Sequence, residues 1–242
     1  MAVFVVALAA GATVLFVSSG GRAHSSSAPS VTFSTSGDKR EGSGTTPNST
    51  EIAPTTTAPP TTATTGSGTL PQTNTLPSAD TTQFQSQMAA LWTGIVHDSP
   101  SDAVPSFFPE GAYLQLKTIV DASGDFENRL LHDFDLDIAA ANSLLGPGAA
   151  GATLVRVDVP SEYAHWIPAG VCDNDVGYYE VANSRIVYQE GGQTRSFGIA
   201  SLISWRGEWY VVHLGAILRT TGSGLVLDPQ TGPGSSPPSS TC

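Results

Sequence analysis

The chain has 242 residues, of which 13% are charged, and a formal net charge of −11. Such acidity repels nucleic acid and anionic membrane surfaces, so neither is an expected partner. The sequence contains no HExxH, CxxC, GxSxG or GxxxxGK pattern, so no metal site, cofactor or motif-borne nucleophile is expected.

In chain order, residues 2–17 read AVFVVALAAGATVLFV, an apolar run that covers roughly 24 Å as a helix. It reads as a membrane anchor, or as a signal segment cut after the small-x-small triplet Gly21-Arg22-Ala23; residues 1–24 form this region. Residues 25–80 are dominated by Thr, Ser, Pro and Gly and hold few bulky apolar side chains. They cannot bury enough surface to offset the entropy of ordering, and should form a disordered linker with a mean span of about 40 Å. Its Thr/Ser/Pro content also suits O-glycosylation.

A helical period follows. Phe84, Met88, Leu91, Trp92 and Ile95 fall at i, i+4, i+7, i+8 and i+11, which predicts an amphipathic helix over 82–97, stopped by Pro100 and Pro105. A short helix is predicted over 110–118. A longer one is predicted over 125–145, ended by Gly146-Pro147-Gly148. From residue 153 the period becomes alternating, with strands predicted over 153–159, 176–181, 185–190, 194–205 and 209–218. Gly191-Gly192 and Arg206-Gly207 read as hairpin turns, so the last three strands should form an antiparallel meander. Helices followed by a mainly antiparallel, curved sheet make an α+β domain over 81–227, with a flexible Gly/Pro/Ser tail over 228–242.

Cys172 and Cys242 are the only cysteines. An even count behind an export-like segment predicts a disulfide between them, which closes a loop of about 70 residues and is worth on the order of 4 kcal/mol in the chain-entropy model.

The order of elements, together with SFGIASLISWRGEWYVVHLG (196–215), resembles the nuclear-transport-factor-like, or cystatin-like, cone fold. With YLQLKTIVD (113–121) and FDLDIAAANSLLG (134–146), the chain more narrowly resembles exported actinobacterial proteins that carry such a cone after an apolar segment and a Thr/Pro-rich linker. The resemblance implies a pocket between helices and sheet, used by some members for catalysis and by others for binding or assembly. Fold alone does not choose between them.

Three residues are candidates for catalysis. At 100° per residue Asp133 and Asp137 sit beside the apolar stripe of Leu130, Phe134 and Ile138, so either could face the pocket with a raised pKa. Either could instead pair with Arg156 or Arg195 from the sheet and simply fix helix to strand. His213 shares the strand face of Trp209 and Val211 by alternation and could orient against Asp137, or be a satisfied core histidine. His165, Trp166 and Trp209 are candidates for ligand contact, against ordinary loop and core roles. The reading is a cell-envelope or secreted domain, on the extracytoplasmic side of the cell membrane, that binds another envelope protein, cell-wall material or a small apolar ligand. The alternatives are a cone-fold enzyme with an Asp/His pair, and an assembly or transporter-accessory subunit.

Overall fold

The computed structural model describes residues 71–220 and 222–239. The expected anchor or signal, the linker up to residue 70, and Cys242 lie outside the described residues. Among the described residues no helix is long and apolar enough to cross a membrane.

Helix α1 spans Thr82–His97, as its periodicity predicts. The Thr81 hydroxyl caps it by accepting from the Phe84 N–H at 3.0 Å, and Asp98 ends it in a left-handed conformation (φ 51°). Phe84, Met88, Leu91, Trp92 and Ile95 are all buried. Short helices α2 (Pro100–Ala103) and α3 (Glu110–Leu116) follow. The next helical stretch is longer than its pattern indicated. Helix α4 (Ala122–Asp125) runs into one wide π turn (Phe126–Leu131) and then into α5 (His132–Leu145) without leaving helical backbone. Gly146, at φ 56°, terminates α5 where the Gly-Pro-Gly run predicted a stop.

Among the described residues the sheet has six strands: β1 (Thr153–Asp158), β2 (His165–Ile167), β3 (Tyr178–Glu190), β4 (Gln193–Trp205), β5 (Glu208–His213) and β6 (Leu227–Thr231). Its centre is the long β3–β4 hairpin. The short strands β1 and β2 share the outer edge of β3, and β5 and β6 share the outer edge of β4, all antiparallel. Gly191-Gly192 and Arg206-Gly207 take positive φ at both positions, the geometry that suits two-residue hairpin turns, so the β3–β4–β5 meander forms as expected. Two predicted strands, 176–181 and 185–190, are one: Asn183 carries the chain through in a left-handed conformation (φ 56°) that Asn tolerates, and its side chain donates to the Pro237 carbonyl.

Both expected boundaries move outwards. Residues 71–80 belong to the folded unit: Gln72 donates to the Gly177 carbonyl and accepts from the Arg206 N–H, the Tyr179 hydroxyl donates to the Asn74 carbonyl, and the buried Trp209 indole donates to the Pro77 carbonyl at 3.1 Å. The tail expected to be flexible contributes β6. It is held by Arg185, a buried guanidinium that donates to the Ser196 hydroxyl, to both the main chain and the carboxylate of Asp228, and to the Ser235 carbonyl. A buried cation tolerates that position because nearly every donor has an acceptor.

Candidate functional site

A cavity of about 140 Å³ lies between the helices and one face of the sheet. Its sheet wall follows from the register. Glu180 of β3 is opposite Ile203 of β4, and Ser201 of β4 is opposite His213 of β5, so these side chains share a face. The helical wall comes from Tyr113, Leu116 and Lys117 at the end of α3, and from Arg129 and Leu130 in the π turn. Tyr178, Val212, Cys172 and Ile217 complete the lining. An enclosed volume of 150 Å³ accepts benzene, so the space fits a molecule about that size. A larger groove of about 410 Å³ beside Ala182, Ala200, Leu218 and Leu227 has only Asn183 and Ser239 as polar lining side chains, and therefore offers far less chemistry.

The charged groups around the cavity are largely matched. Arg129 donates from Nε to Asp125 at 2.6 Å and from a terminal nitrogen at 2.5 Å, and the Tyr113 hydroxyl donates to the same carboxylate. Burial first, and then the bond to Asp125, push the Tyr113 hydroxyl far above its ordinary pKa, so it stays protonated. Hydrogen bonding from Arg129 holds the Asp125 carboxyl below its usual range. Glu180 is 1% exposed, accepts from the Ser201 hydroxyl at 3.1 Å, and has its second oxygen 3.2 Å from His165 Nε2. Lys117 donates to the Cys172 carbonyl at 2.9 Å; burial lowers its pKa. His213 is pushed down to about 4, chiefly by burial and then by the charges of Arg129, Arg219 and Lys117. It is a neutral imidazole at pH 7, able both to donate and to accept.

No family model, curated protein or solved structure matches this chain. The site therefore rests on its own geometry.

The structure does not bond Asp137 to His213, the two residues that the sequence suggested as a pair. Asp137 is 1% exposed, and both its oxygens are occupied: Arg219 donates twice, at 2.7 and 2.8 Å, and the Gly215 and Leu225 N–H groups donate at 2.8 Å each. A carboxylate with four donors is a fixed structural anion. Its cation is Arg219, not the expected Arg156 or Arg195, which pair with Asp158 and Glu190. Asp133 lies 3.9 Å from Arg219 Nε and supports the same pair. Burial disfavours charge on Arg219, but the Asp137 bonds more than offset this, and its pKa is raised.

His213 does reach the cavity, by a route alternation does not give. Ser201 faces His213 while Leu202 faces Val211, so Val212 is an extra residue in β5. The bulge moves His213 to the face of Ser201 and Ile203, opposite Trp209 and Val211, which correspond to Ser204 and Leu202. Trp209 is fully buried with its N–H spent on Pro77, and does not line the cavity. Trp166 packs edge-on against Tyr179 at 5.2 Å and leans on Gly177, where a Cβ would come within 2.3 Å of its ring. His165 acts from behind the wall, through Glu180. Cys172 is not a free thiol and lines the cavity; the expected bridge to Cys242 involves a residue outside those described.

Sequence reading missed Glu180, Lys117, Arg129 and Ser201. One signal was available for Glu180. It is an acid inside the run YYEVA, at a position that strand alternation makes buried, and a buried acid requires partners.

Proposed function

We propose that this chain is a non-catalytic binding module of the cell envelope, exposed on the extracytoplasmic side or released from it, whose domain is a nuclear-transport-factor-like cone and whose ligand site is the cavity between α3, the π turn and the sheet. The observation that carries the reading is the cavity's mixed wall. Leu116, Leu130, Ile203 and Ile217 offer apolar area, while Lys117, Glu180, Ser201 and His213 converge as orienting polar groups, the pattern of a small-molecule site. The wall is also pre-organised, because Tyr113, Asp125 and Arg129 hold one another through mutual hydrogen bonds. Residues 2–17 and the Thr/Pro-rich stretch support the location, delivering the domain and holding it away from the membrane.

An enzyme built on Asp137 and His213 is disfavoured because both oxygens of that acid are taken up by Arg219 and by the Gly215 and Leu225 N–H groups. Methyl-labelled NMR with a library of small aromatic and branched aliphatic fragments tests the binding reading. Shifts at Leu116, Leu130, Ile203 and Ile217 are expected, and should disappear in a cavity-filling Ile203→Trp variant. Fragment-induced shifts confined to other surfaces would refute it.

A further inference from the structure

Most charged side chains in and around the cavity have a partner in direct contact among the described residues. Arg129 is forked onto Asp125, Arg219 is held by Asp137, and Glu180 takes the Ser201 hydroxyl and faces His165. Lys117 differs. Its ammonium donates to a backbone carbonyl, that of Cys172, and among the described residues no carboxylate lies within 4.0 Å of it. An ammonium has three donors, and this one is partly buried with no anion in contact: Asp173, Asp125 and Glu180 favour its charge only from a distance, and desolvation outweighs them. The surrounding field points the same way. At His213, Arg129, Arg219 and Lys117 all disfavour positive charge, and Asp125, already committed to Arg129 and Tyr113, is the acid that opposes them.

Resting on the cavity reading above, we propose that the ligand is a small monocarboxylate, its carboxylate pairing with Lys117 beside His213 and its apolar body lying against Leu130, Ile203 and Ile217. The volume limits that body to about the size of a benzene ring or a short branched chain. A cationic ligand is disfavoured, because it would meet Lys117 and Arg129 while finding Glu180 already bonded. A phosphate-like dianion is disfavoured as well, because one unmatched ammonium leaves half its charge uncompensated in a desolvated site.

The test uses three probes of one shape on the full chain: benzoate, benzyl alcohol and benzylamine, titrated by calorimetry and by methyl shifts at Leu130 and Ile203. Benzoate should bind at least tenfold tighter than benzyl alcohol, and benzylamine weakest. Lys117→Met should abolish the preference for benzoate over benzyl alcohol, so that the ratio of their affinities falls to about one whatever happens to the two values together; Lys117→Gln, which keeps a donor for the Cys172 carbonyl, should do the same and serves if the first variant fails to fold. Equal affinity for benzoate and benzyl alcohol, tighter binding of benzylamine, or a preference that survives both substitutions overturns the proposal and leaves the cavity reading standing. Absence of methyl shifts with all three probes overturns both.

Discussion

Replacing Asp137 by Asn separates the structural reading of this acid from a catalytic one. The side chain is 1% exposed and receives four hydrogen bonds, two of them from Arg219, whose own side chain is only 5% exposed. The amide keeps the shape but loses the charge, and it turns one acceptor into a donor facing other donors. Removing one partner of a buried ion pair costs about 3–5 kcal/mol, because the remaining charge stays desolvated. That is a large share of the roughly 5–15 kcal/mol that stabilises a typical domain. The double variant Asp137→Leu/Arg219→Met removes both charges and should recover at least about 2 kcal/mol of the loss. It will not recover everything, since the Gly215 and Leu225 N–H groups still lose their acceptor, at about 1–3 kcal/mol for each one left buried. Urea unfolding followed by tryptophan fluorescence reads both quantities as midpoint shifts at unchanged slope. A loss under about 1 kcal/mol for Asp137→Asn, or single-variant costs that simply add, would refute the argument.

Stability should also depend on pH through His213. Its folded pKa of about 4 lies below the unfolded value of about 6.5, so between these limits the unfolded chain takes up the proton first, and stability falls as pH drops from about 6.5 towards 4. The full loss is on the order of 3 kcal/mol; His213→Gln should flatten that part of the curve, and an unchanged slope would contradict it. A chain beginning at Thr81 should be less stable by at least about 1–3 kcal/mol than one beginning at Pro71, because the buried Trp209 N–H loses the Pro77 carbonyl. A lower Tm with red-shifted tryptophan emission is expected, and matching Tm values would count against a docked segment. Under non-reducing conditions Cys172 and Cys242 should both resist alkylation. An intact mass carrying two alkyl groups would rule out the bridge.

Helix α1, the stop at Gly146 and the β3–β4–β5 meander were legible because each has a local cause: a 3.6-residue apolar period, a glycine that accepts positive φ, and hairpin turns between alternating runs. The α5 stripe was equally plain, and Phe134, Ile138 and Asp137 are buried as the angles indicated. What periodicity could not supply was the partner. Arg219 lies 82 residues further on, outside any predicted helix, and nothing local marks it as facing Asp137. The His213 error has the same character, since one extra residue at Val212 inverts a strand face without altering composition. Strand β6, with the sequence LDPQT, looked like tail because it is polar and contains Pro229, which only an edge strand accommodates. Residues 71–80 share the composition of the linker, yet dock through the lone Gln72 side chain and the main-chain carbonyls of Asn74 and Pro77, which no periodic side-chain pattern reveals.

The central claim is that the space between α3, the π turn and the β3–β5 face receives a small molecule. A crystal of the protein soaked with small aromatic and aliphatic fragments examines it directly. Fragment density is predicted against Leu130 and Ile203 with a polar group reaching Lys117 or His213; a cavity filled only by ordered water, with fragments bound elsewhere on the surface, would contradict the account.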